Sequence, residues 1–396
     1  MSHPVIYLNK QSDRRLKKGH PWIYSNEVDV QRSPLKTLEP GSLAAVHSAS
    51  GQFLATAIIN PHVLICGRVI SRDQDAALDV AFFTTRIRQA LALREQCFPQ
   101  PYYRLVYGDS DFLPGVVIDR FNEHVVVQLT ISGMDRVQDV LLEAVEQVLS
   151  PKGVVMLNNH AGRELEGLED DVRIIGQIPE FLKVVENNTL FEFSAAGGQK
   201  TGWFYDHRPN RAVLQQLAPG KRVLDVFSYV GGWGIQAAKA GAESIVCVDA
   251  SEAAMELVGH NASLNDCLER VSGVRGKAID ALKQLLSEGE KFDIVVLDPP
   301  AFIKRRKDQK AGEAAYRHIN ELGVRLLARD GILVSASCSM PLTDEALTAI
   351  VHGAARQHDR RVQQFHVGGQ GMDHPVHPLI PETRYIKAQF YRVLQS

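Results

Sequence analysis

Through the first 72 residues the apolar positions come in short runs divided by turn signals. Runs at 42–46, 53–59 and 64–70 read as strands, punctuated by Ser50-Gly51 and Asn60-Pro61. That stretch is expected to be all-β. From residue 73 to about 190 two spacings alternate. Phe82, Phe83, Ile87, Ala90 and Leu91 recur near the helical period, as do Val137, Leu141, Ala144, Val145 and Val148. Between them, apolar runs at 115–118 and 125–129 flank a polar segment at 119–124 and read as a hairpin. A further strand is expected at 154–157, and a second hairpin turns at Asn187-Asn188. Nothing in this α+β stretch clusters acids, histidines or cysteines, so it reads as scaffold or substrate platform.

Beyond residue 190 the texture changes. A polar, aromatic segment, Gly198-Gln-Lys-Thr-Gly-Trp-Phe-Tyr-Asp-His-Arg208, leads into a helix at 209–217, with Pro209 suited to its first turn. The following stretch, Lys221-Arg-Val-Leu-Asp-Val-Phe-Ser-Tyr-Val-Gly-Gly-Trp-Gly234, organises what remains. Residues 223–226 read as a short buried strand, and Gly231, Gly232 and Gly234 as a turn opening a helix at 235–240. Such a unit lets a ligand approach the backbone and meet free N–H groups. A dinucleotide fingerprint would put G-x-G-x-x-G directly after the strand. Here the strand ends in Asp225, and the glycines do not fit that spacing. An acid at this place repels a pyrophosphate and attracts an ammonium or hydroxyl group, which favours S-adenosylmethionine.

Three more strand–helix units follow, the pattern of a parallel sheet covered by helices. A strand at 244–248 ends in Asp249, an acid suited to ribose hydroxyls. Ala278-Ile279 is read as the end of the next strand and leads to Asp280, placed to touch an adenine amine. The strand at 292–297 ends in Asp298-Pro-Pro-Ala-Phe302, and that at 331–335 in Ser337-Cys338-Ser339. Ligands of open α/β sheets bind at the carboxyl ends of the strands. One acid at a strand end is ordinarily a helix cap; five strand ends carrying an acid or thiol point to one shared crevice.

Composition narrows the picture. A chain of 396 residues with 45% hydrophobic and 23% charged residues has room for two or three domains, read here as 1–72, 73–190 and 191–396. A formal charge of −2 excludes a global nucleic-acid signature, so such binding must come from local patches. Lys10, Arg14, Arg15, Lys17 and Lys18 precede Trp22 and Tyr24, an interleaving suited to phosphates and base stacking. Lys304, Arg305, Arg306 and Lys307 follow Phe302. Cys66, Cys97, Cys247, Cys267 and Cys338 are odd in number and scattered, without a Cys-x-x-Cys pair, which argues against disulfides or structural zinc. His374 and His377 lack further ligands at suitable spacing and read as loop or core residues, so no metal is expected. With no apolar leader and no run of 18 apolar residues, the expectation is a cytoplasmic protein without a membrane segment. The sequence leaves its oligomeric state, homodimer or other, open.

Asp225-Val-Phe-Ser-Tyr-Val-Gly-Gly, Asp298-Pro-Pro-Ala-Phe and Ser337-Cys-Ser together resemble the RlmI-like bacterial class I methyltransferases, which make 5-methylcytosine in 23S ribosomal RNA using S-adenosylmethionine. The likeness covers essentially the whole chain. Lys18-Gly-His-Pro-Trp-Ile-Tyr-Ser-Asn resembles that family's N-terminal RNA-binding PUA barrel, and Leu113-Pro-Gly-Val-Val-Ile-Asp-Arg120 its central α+β domain. Lys200-Thr-Gly-Trp-Phe-Tyr-Asp-His-Arg resembles its lead into the Rossmann-like catalytic domain, although His207 stands where family members usually carry Gln. Asp373-His-Pro-Val and Tyr385-Ile-Lys387 resemble the last hairpin of the sheet.

The resemblance implies a cofactor site. Tyr205, Asp206 and Arg208 belong to its first segment, Asp225, Phe227, Ser228, Gly231 and Gly232 to its glycine loop. Asp249, Ala250 and Ser251 follow the next strand, with Asp280, Asp298 and Pro299 beyond. It also implies that Cys338 attacks C6 of cytosine, turning C5 into an enamine-like carbon able to take a methyl group. Asp298 holds the ring and delivers or stabilises a proton at N3. Many RNA cytosine-5 enzymes carry a second cysteine after Pro-Pro; Ala301 stands there, leaving Cys338 as the one essential thiol. Phe302 is placed to stack on an unstacked base, while Arg14, Arg15, Lys17, Lys18 and Trp22, with Lys304 to Lys307, contact RNA. Three alternatives stay open: methylation of an exocyclic adenine or guanine amine, which needs no thiol; uracil-5 methylation, whose enzymes usually carry Arg after Pro-Pro; and a catalytically silent RNA-binding or ribosome-assembly factor.

Overall fold

The computed structural model describes residues 3–195 and 201–395, which form two compact units. Residues 3–182 and Met372–Thr383 belong to the first. It begins with β1 (Val5–Tyr7), α1 (Asp13–Lys17), β2 (Trp22–Ile23), β3 (Ser42–His47), β4 (Phe53–Ile59) and β5 (Gly67–Ser71). These strands form one sheet in the order β1-β3-β4-β5-β2 around Ile6, Ala44, Val46, Ala57 and Ile59. The apolar run at 64–70 starts too early as a strand. Leu64 is exposed in the turn after Asn60-Pro61, and pairing begins at Gly67.

An α+β layer follows. It comprises α2 (Val80–Cys97), β6 (Tyr102–Tyr107), β7 (Val116–Phe121), β8 (His124–Leu129), α3 (Ser132–Arg136), α4 (Gln138–Leu149), β9 (Gly153–Asn158), α5 (Gly162–Leu165) and β10 (Asp171–Gly176). The strands run in the order β10-β9-β8-β7-β6. Phe83, Ile87 and Ala90 of α2 and Leu141, Ala144 and Val145 of α4 are buried in one core, the positions the helical spacing selects. The Asp79 carboxylate caps α2 by accepting the Phe82 N–H at 2.8 Å. Charge is buried here too. Arg94, fully inaccessible, forks onto Asp111 with two bonds of 2.7 Å and donates to the Asp373 carbonyl at 3.0 Å.

The second unit takes Lys183–Phe193, Phe204–Gly371 and the chain from Arg384. The hairpin β11 (Phe181–Glu186) and β12 (Thr189–Ser194) turns at Asn187 and Asn188, both at positive φ (49° and 60°), as a two-residue turn requires. Then come α6 (Arg208–Leu217), β13 (Arg222–Val226), α7 (Gly234–Lys239), β14 (Ser244–Asp249), α8 (Glu252–Leu264), β15 (Val271–Arg275) and α9 (Ala278–Ser287). The chain continues through β16 (Phe292–Leu297), α10 (Gln309–Leu326), β17 (Leu327–Ser337), α11 (Asp344–Arg356), β18 (Arg360–Gly368) and β19 (Lys387–Gln395). The sheet order is β15-β14-β13-β16-β17-β19-β18, with β19 antiparallel to both neighbours. The order reverses at β13, so the crevice beyond β13, β14 and β16 is where such a sheet takes a ligand.

Two expectations are corrected. Ala278-Ile279 is not a strand end: β15 lies earlier, at Val271–Arg275, and Asp280 sits in the first turn of α9. The apolar face of Ala281, Leu282 and Leu285 recurs at helical spacing and buries α9 against the sheet. The last hairpin is built from β18 and β19, and residues 373–385 connect them instead of forming strands. Pro375, Pro378 and Pro381 have no N–H to give a ladder. No helix among the described residues is long and apolar enough to cross a membrane.

The Arg94–Asp111 pair yields a prediction for the first unit. Arg94→Ala strands a buried carboxylate, so urea denaturation should show a loss of about 3–5 kcal/mol. A loss below ~1 kcal/mol would mean that the pair does not hold this core together.

Candidate active site

The site grows from the end of β13. Asp225 is completely buried, and its Oδ2 accepts the N–H of Gly234, the first residue of α7, at 2.8 Å. Strand and helix meet so closely there that a Cβ on Gly234 would lie 2.8 Å from both Cys247 Sγ and Ile245 Cγ2. The loop between is compressed, with Phe227, Tyr229 and Gly231 all at positive φ (65°, 50° and 88°). For Phe and Tyr that conformation costs on the order of 1 kcal/mol each. Ser228 and Gly232 are buried within this turn. Burial pushes the Asp225 carboxyl up to about 7, against the Gly234 bond, and its Oδ1 has no hydrogen-bond partner.

The next strand end adds a second acid. Asp249 closes β14, and its two oxygens accept the Tyr229 N–H at 3.0 Å and the Ser251 N–H at 2.9 Å. Across Ala250, Ser251 caps α8 through the Ala254 N–H at 3.3 Å. Asp280 is exposed.

Asp298 follows β16 directly, a fifth of its side chain exposed. Trp233, from the glycine loop, donates its Nε1–H to Oδ2 at 2.9 Å, and His207 Nε2 stands 3.4 Å from Oδ1. His207 is buried in the turn before α6, next to Tyr205 and Asp206. Its Nδ1 lies 3.1 Å from Asn210 Nδ2, which also donates to the Gly369 carbonyl. Burial pushes the imidazole down, but the charges of Asp298 and Asp206 outweigh burial and Arg211 and hold it above its ordinary value. Burial likewise raises Asp298, yet the His207 charge and the His207 and Trp233 donors bring it below the usual carboxylate range. Tyr385 donates to Asp206 at 2.6 Å. The start of α6 is held by the buried Glu186, which accepts from Arg211 at 2.5 Å, Gln236 at 2.9 Å and Arg208 at 3.5 Å. Arg208 also lies over the Tyr205 ring.

Cys338 stands just past β17, partly exposed, its Sγ 4.0 Å from the Pro299 carbonyl. Leu297 and Ser335 pair in register, so the thiol and Asp298 rise from adjacent strand ends. The flanking hydroxyls of Ser337 and Ser339 converge on Tyr316 OH at 2.8 and 2.9 Å. Burial pushes Cys66 up to about 12 and raises Cys247 and Cys267 as well. Cys338 and Cys97 are the partly exposed thiols, and Cys338 alone lies at this end of the sheet. The half-buried Phe302 ring packs on Tyr316 at 4.8 Å and edge-on to Phe227 at 6.3 Å. Trp233, Tyr385 and Lys387 lie in stretches the sequence singles out but receive no role there, and Tyr316 lies outside those stretches. The segment Gly198-Gln-Lys200 lies outside the described residues.

Lys304, Arg305, Arg306 and Lys307 are all exposed, and none is in an ion pair among the described residues. The α1 set is more engaged. Arg15 bridges Glu27 at 3.2 Å and lies over Tyr24, and Lys17 pairs with Asp13 at 2.5 Å. Trp22 donates to Asp109 at 2.9 Å, while Arg14 and Lys18 are exposed. No group of three or more His, Cys, Asp or Glu among the described residues is placed to hold a metal.

The His207–Asp298 pair carries a pH signature. A histidine raised above 6.5 in the fold stabilises it fully below that pH, and the contribution fades as pH rises through the folded value. The urea midpoint difference between the parent chain and His207→Gln should therefore be largest below pH 6.5 and shrink as pH rises above it. A difference independent of pH would remove the charged pair.

Residues 6–72 match the PUA-like domain family, and residues 110–356 the S-adenosylmethionine-dependent methyltransferase family. A Tolumonas auensis protein named ribosomal RNA large subunit methyltransferase I is 35% identical over 397 residues, covering 98% of this chain and 99% of that one. Its namesake from an Enterobacter species is 32% identical over 395 residues, with the same coverage of 98% and 99%. Two solved structures share the fold. A methyltransferase complexed with SAH aligns at a TM-score of 0.83 and 21% identity over 99% of this chain and 100% of that one. A SAM-dependent methyltransferase from Streptococcus mutans aligns at 0.82 and 20% over 98% and 100%. With a PUA-like domain joined to a methyltransferase domain whose cofactor is S-adenosylmethionine, the chain belongs to the ribosomal RNA large subunit methyltransferase I family.

Proposed function

We propose that this enzyme forms 5-methylcytosine in 23S ribosomal RNA through a covalent Cys338 adduct. The observation that carries the reading is the partly exposed Cys338 thiol, 4.0 Å from the Pro299 carbonyl and one strand from Asp298. Large-subunit RNA is taken as substrate from the names of the relatives. The PUA-like domain, with Arg14, Lys18 and their neighbours, and the exposed Lys304 to Lys307 would grip phosphates.

The residues present fit the cofactor. Asp225 Oδ1 is a buried acceptor without a partner beside a loop of close backbone approach, suited to the amine of the methionine end. Asp249, with lone pairs beyond its two backbone bonds, would accept from ribose hydroxyls, flanked by Ala250 and Ser251. Tyr205, Asp206, Arg208, Phe227, Ser228, Gly231, Gly232, Asp280 and Pro299 would complete the enclosure. S-adenosylmethionine, when bound, supplies an electrophilic methyl group.

The chain's own residues would do the rest. Cys338 Sγ bonds to C6 of the cytosine, and the C5–C6 electron pair moves toward C5 while N3 gains a proton from solvent, which it gives back when the C6–S bond breaks. Asp298, held below the usual carboxylate range by His207 and Trp233, would stabilise that proton at N3 instead of donating it. C5 takes the methyl, a base removes the C5 hydrogen, and the C6–S bond breaks to release Cys338. Phe302, braced by Tyr316, would border the base.

Incubating the enzyme with labelled S-adenosylmethionine and 23S RNA containing 5-fluorocytosine tests this directly. A denaturation-resistant adduct is expected, absent in Cys338→Ala, whose turnover on ordinary RNA should fall on the order of 10³-fold or more. Methyl transfer without an adduct would move the chemistry to an exocyclic amine. Neither adduct nor transfer would leave the silent assembly factor. For the basic loop, replacing Arg305 and Arg306 with Gln should weaken RNA binding and reduce its log–log salt slope by about 1.4 if each meets one single-stranded phosphate. Equal slopes would take the loop out of the interface.

A further inference from the structure

Lys387 is a buried cation that the reaction as described does not use. It opens β19, is 6% exposed, and its Cα pairs in register with that of Ser337, one residue before the thiol. Its Nζ donates to the Ser339 carbonyl at 3.1 Å and to the Tyr385 carbonyl at 3.0 Å. Among the described residues its ammonium meets these backbone carbonyls and no ion-pair partner. Buried ammonium groups are ordinarily paired, because carbonyl dipoles offset only part of the cost of leaving water. A buried ammonium held at the carbonyl of the residue after Cys338, without an ion-pair partner, would be further stabilised by an anion there.

We infer that Lys387 is the counter-charge of the Cys338 thiolate, holding the nucleophile ionised before RNA arrives. The inference deepens the reading of Cys338 as nucleophile and rests on it. The thiol proton passes to solvent, the ammonium keeps all three of its protons, and the species that adds to C6 is the anion. Because Lys387 is tied to the carbonyls of Ser339 and Tyr385, its charge stays in place as the thiolate forms and is spent. The influences on Lys387 are mixed. Burial pushes it below its ordinary value, Asp344 and a charge on Cys338 both raise it, and Arg384 lowers it. Ser337 and Ser339, occupied with Tyr316, fix the strand end but carry no charge to set the thiol. Lys387 is thus a positioning residue that acts through the thiol.

The test reads the thiol without methyl transfer. Iodoacetamide alkylation of Cys338 in the full-length protein, followed peptide by peptide by mass spectrometry from pH 5 to 10, gives its titration midpoint. The parent chain should titrate below the free-cysteine value of about 8.5. Lys387→Met, close in shape, should raise the midpoint by about 1–2 pH units and slow alkylation at pH 7 on the order of tenfold, and Lys387→Arg should restore it. A parent midpoint at or above 8.5 overturns the inference even if Lys387→Met fails to fold. Equal midpoints in parent and variant, with the 5-fluorocytosine adduct still formed, overturn it and leave Cys338 as nucleophile. A shifted midpoint with no adduct in the parent upholds the charge pair and removes the cytosine reading.

Discussion

One hydrogen bond, from the Gly234 N–H to the buried Asp225 carboxylate, holds the geometry on which the catalytic unit depends. It ties the end of the central strand to the start of the helix that follows, at a separation no Cβ at 234 would permit. The loop between must then fold tightly enough to force Phe227 and Tyr229 into the left-handed region. That turn delivers the Tyr229 N–H to Asp249 and the Trp233 indole to Asp298. Acids on three strand ends are thus oriented by one short loop. The arrangement requires a carboxyl buried where solvent cannot reach it, which is why Asp225 is pushed up to about 7.

Three other acids follow one rule: each is met by fixed donors. Backbone amides meet Asp249, His207 and Trp233 meet Asp298, and two arginines and a glutamine meet Glu186. Glu186 holds the start of α6, the preceding turn carries His207, and His207 braces Asp298. A hairpin tip far from the motif in sequence thereby helps orient its carboxylate.

Much of this was legible in the chain and some was not, for identifiable reasons. The strands at 53–59 and 292–297 have the observed limits, because continuous apolar runs between turn signals have one reading as buried strands. The Asn187-Asn188 hairpin was legible because few residues tolerate positive φ in succession. β18 gave no signal: it is an edge strand whose Arg, Gln and His residues form no apolar run. β15 was mistaken for its neighbour, since Gly273 breaks its pattern while Ala278-Ile279 looks apolar but starts a helix. At the site, the acids and the thiol stood out because strand ends are recognisable positions. Their partners did not, since Trp233, Tyr385 and Lys387 acquire their meaning only from contacts made across the fold.

The sheet order has a consequence for how the chain reaches this state. β19 follows β18 in sequence but lies between β17 and β18, and β18 has no other partner in the sheet. A connection of residues 369–386 separates β18 from its one neighbour in the sheet, β19. β19 lies between β17 and β18 and bonds to both along its length. Pairing of β19 with β17 reaches across α11 and β18 and is slow compared with pairing between sequence neighbours. Until that pairing forms, the β17 edge is open and adhesive. Because β19 begins with Lys387 opposite Ser337, the surroundings of the thiol are complete only once that long-range pairing has formed.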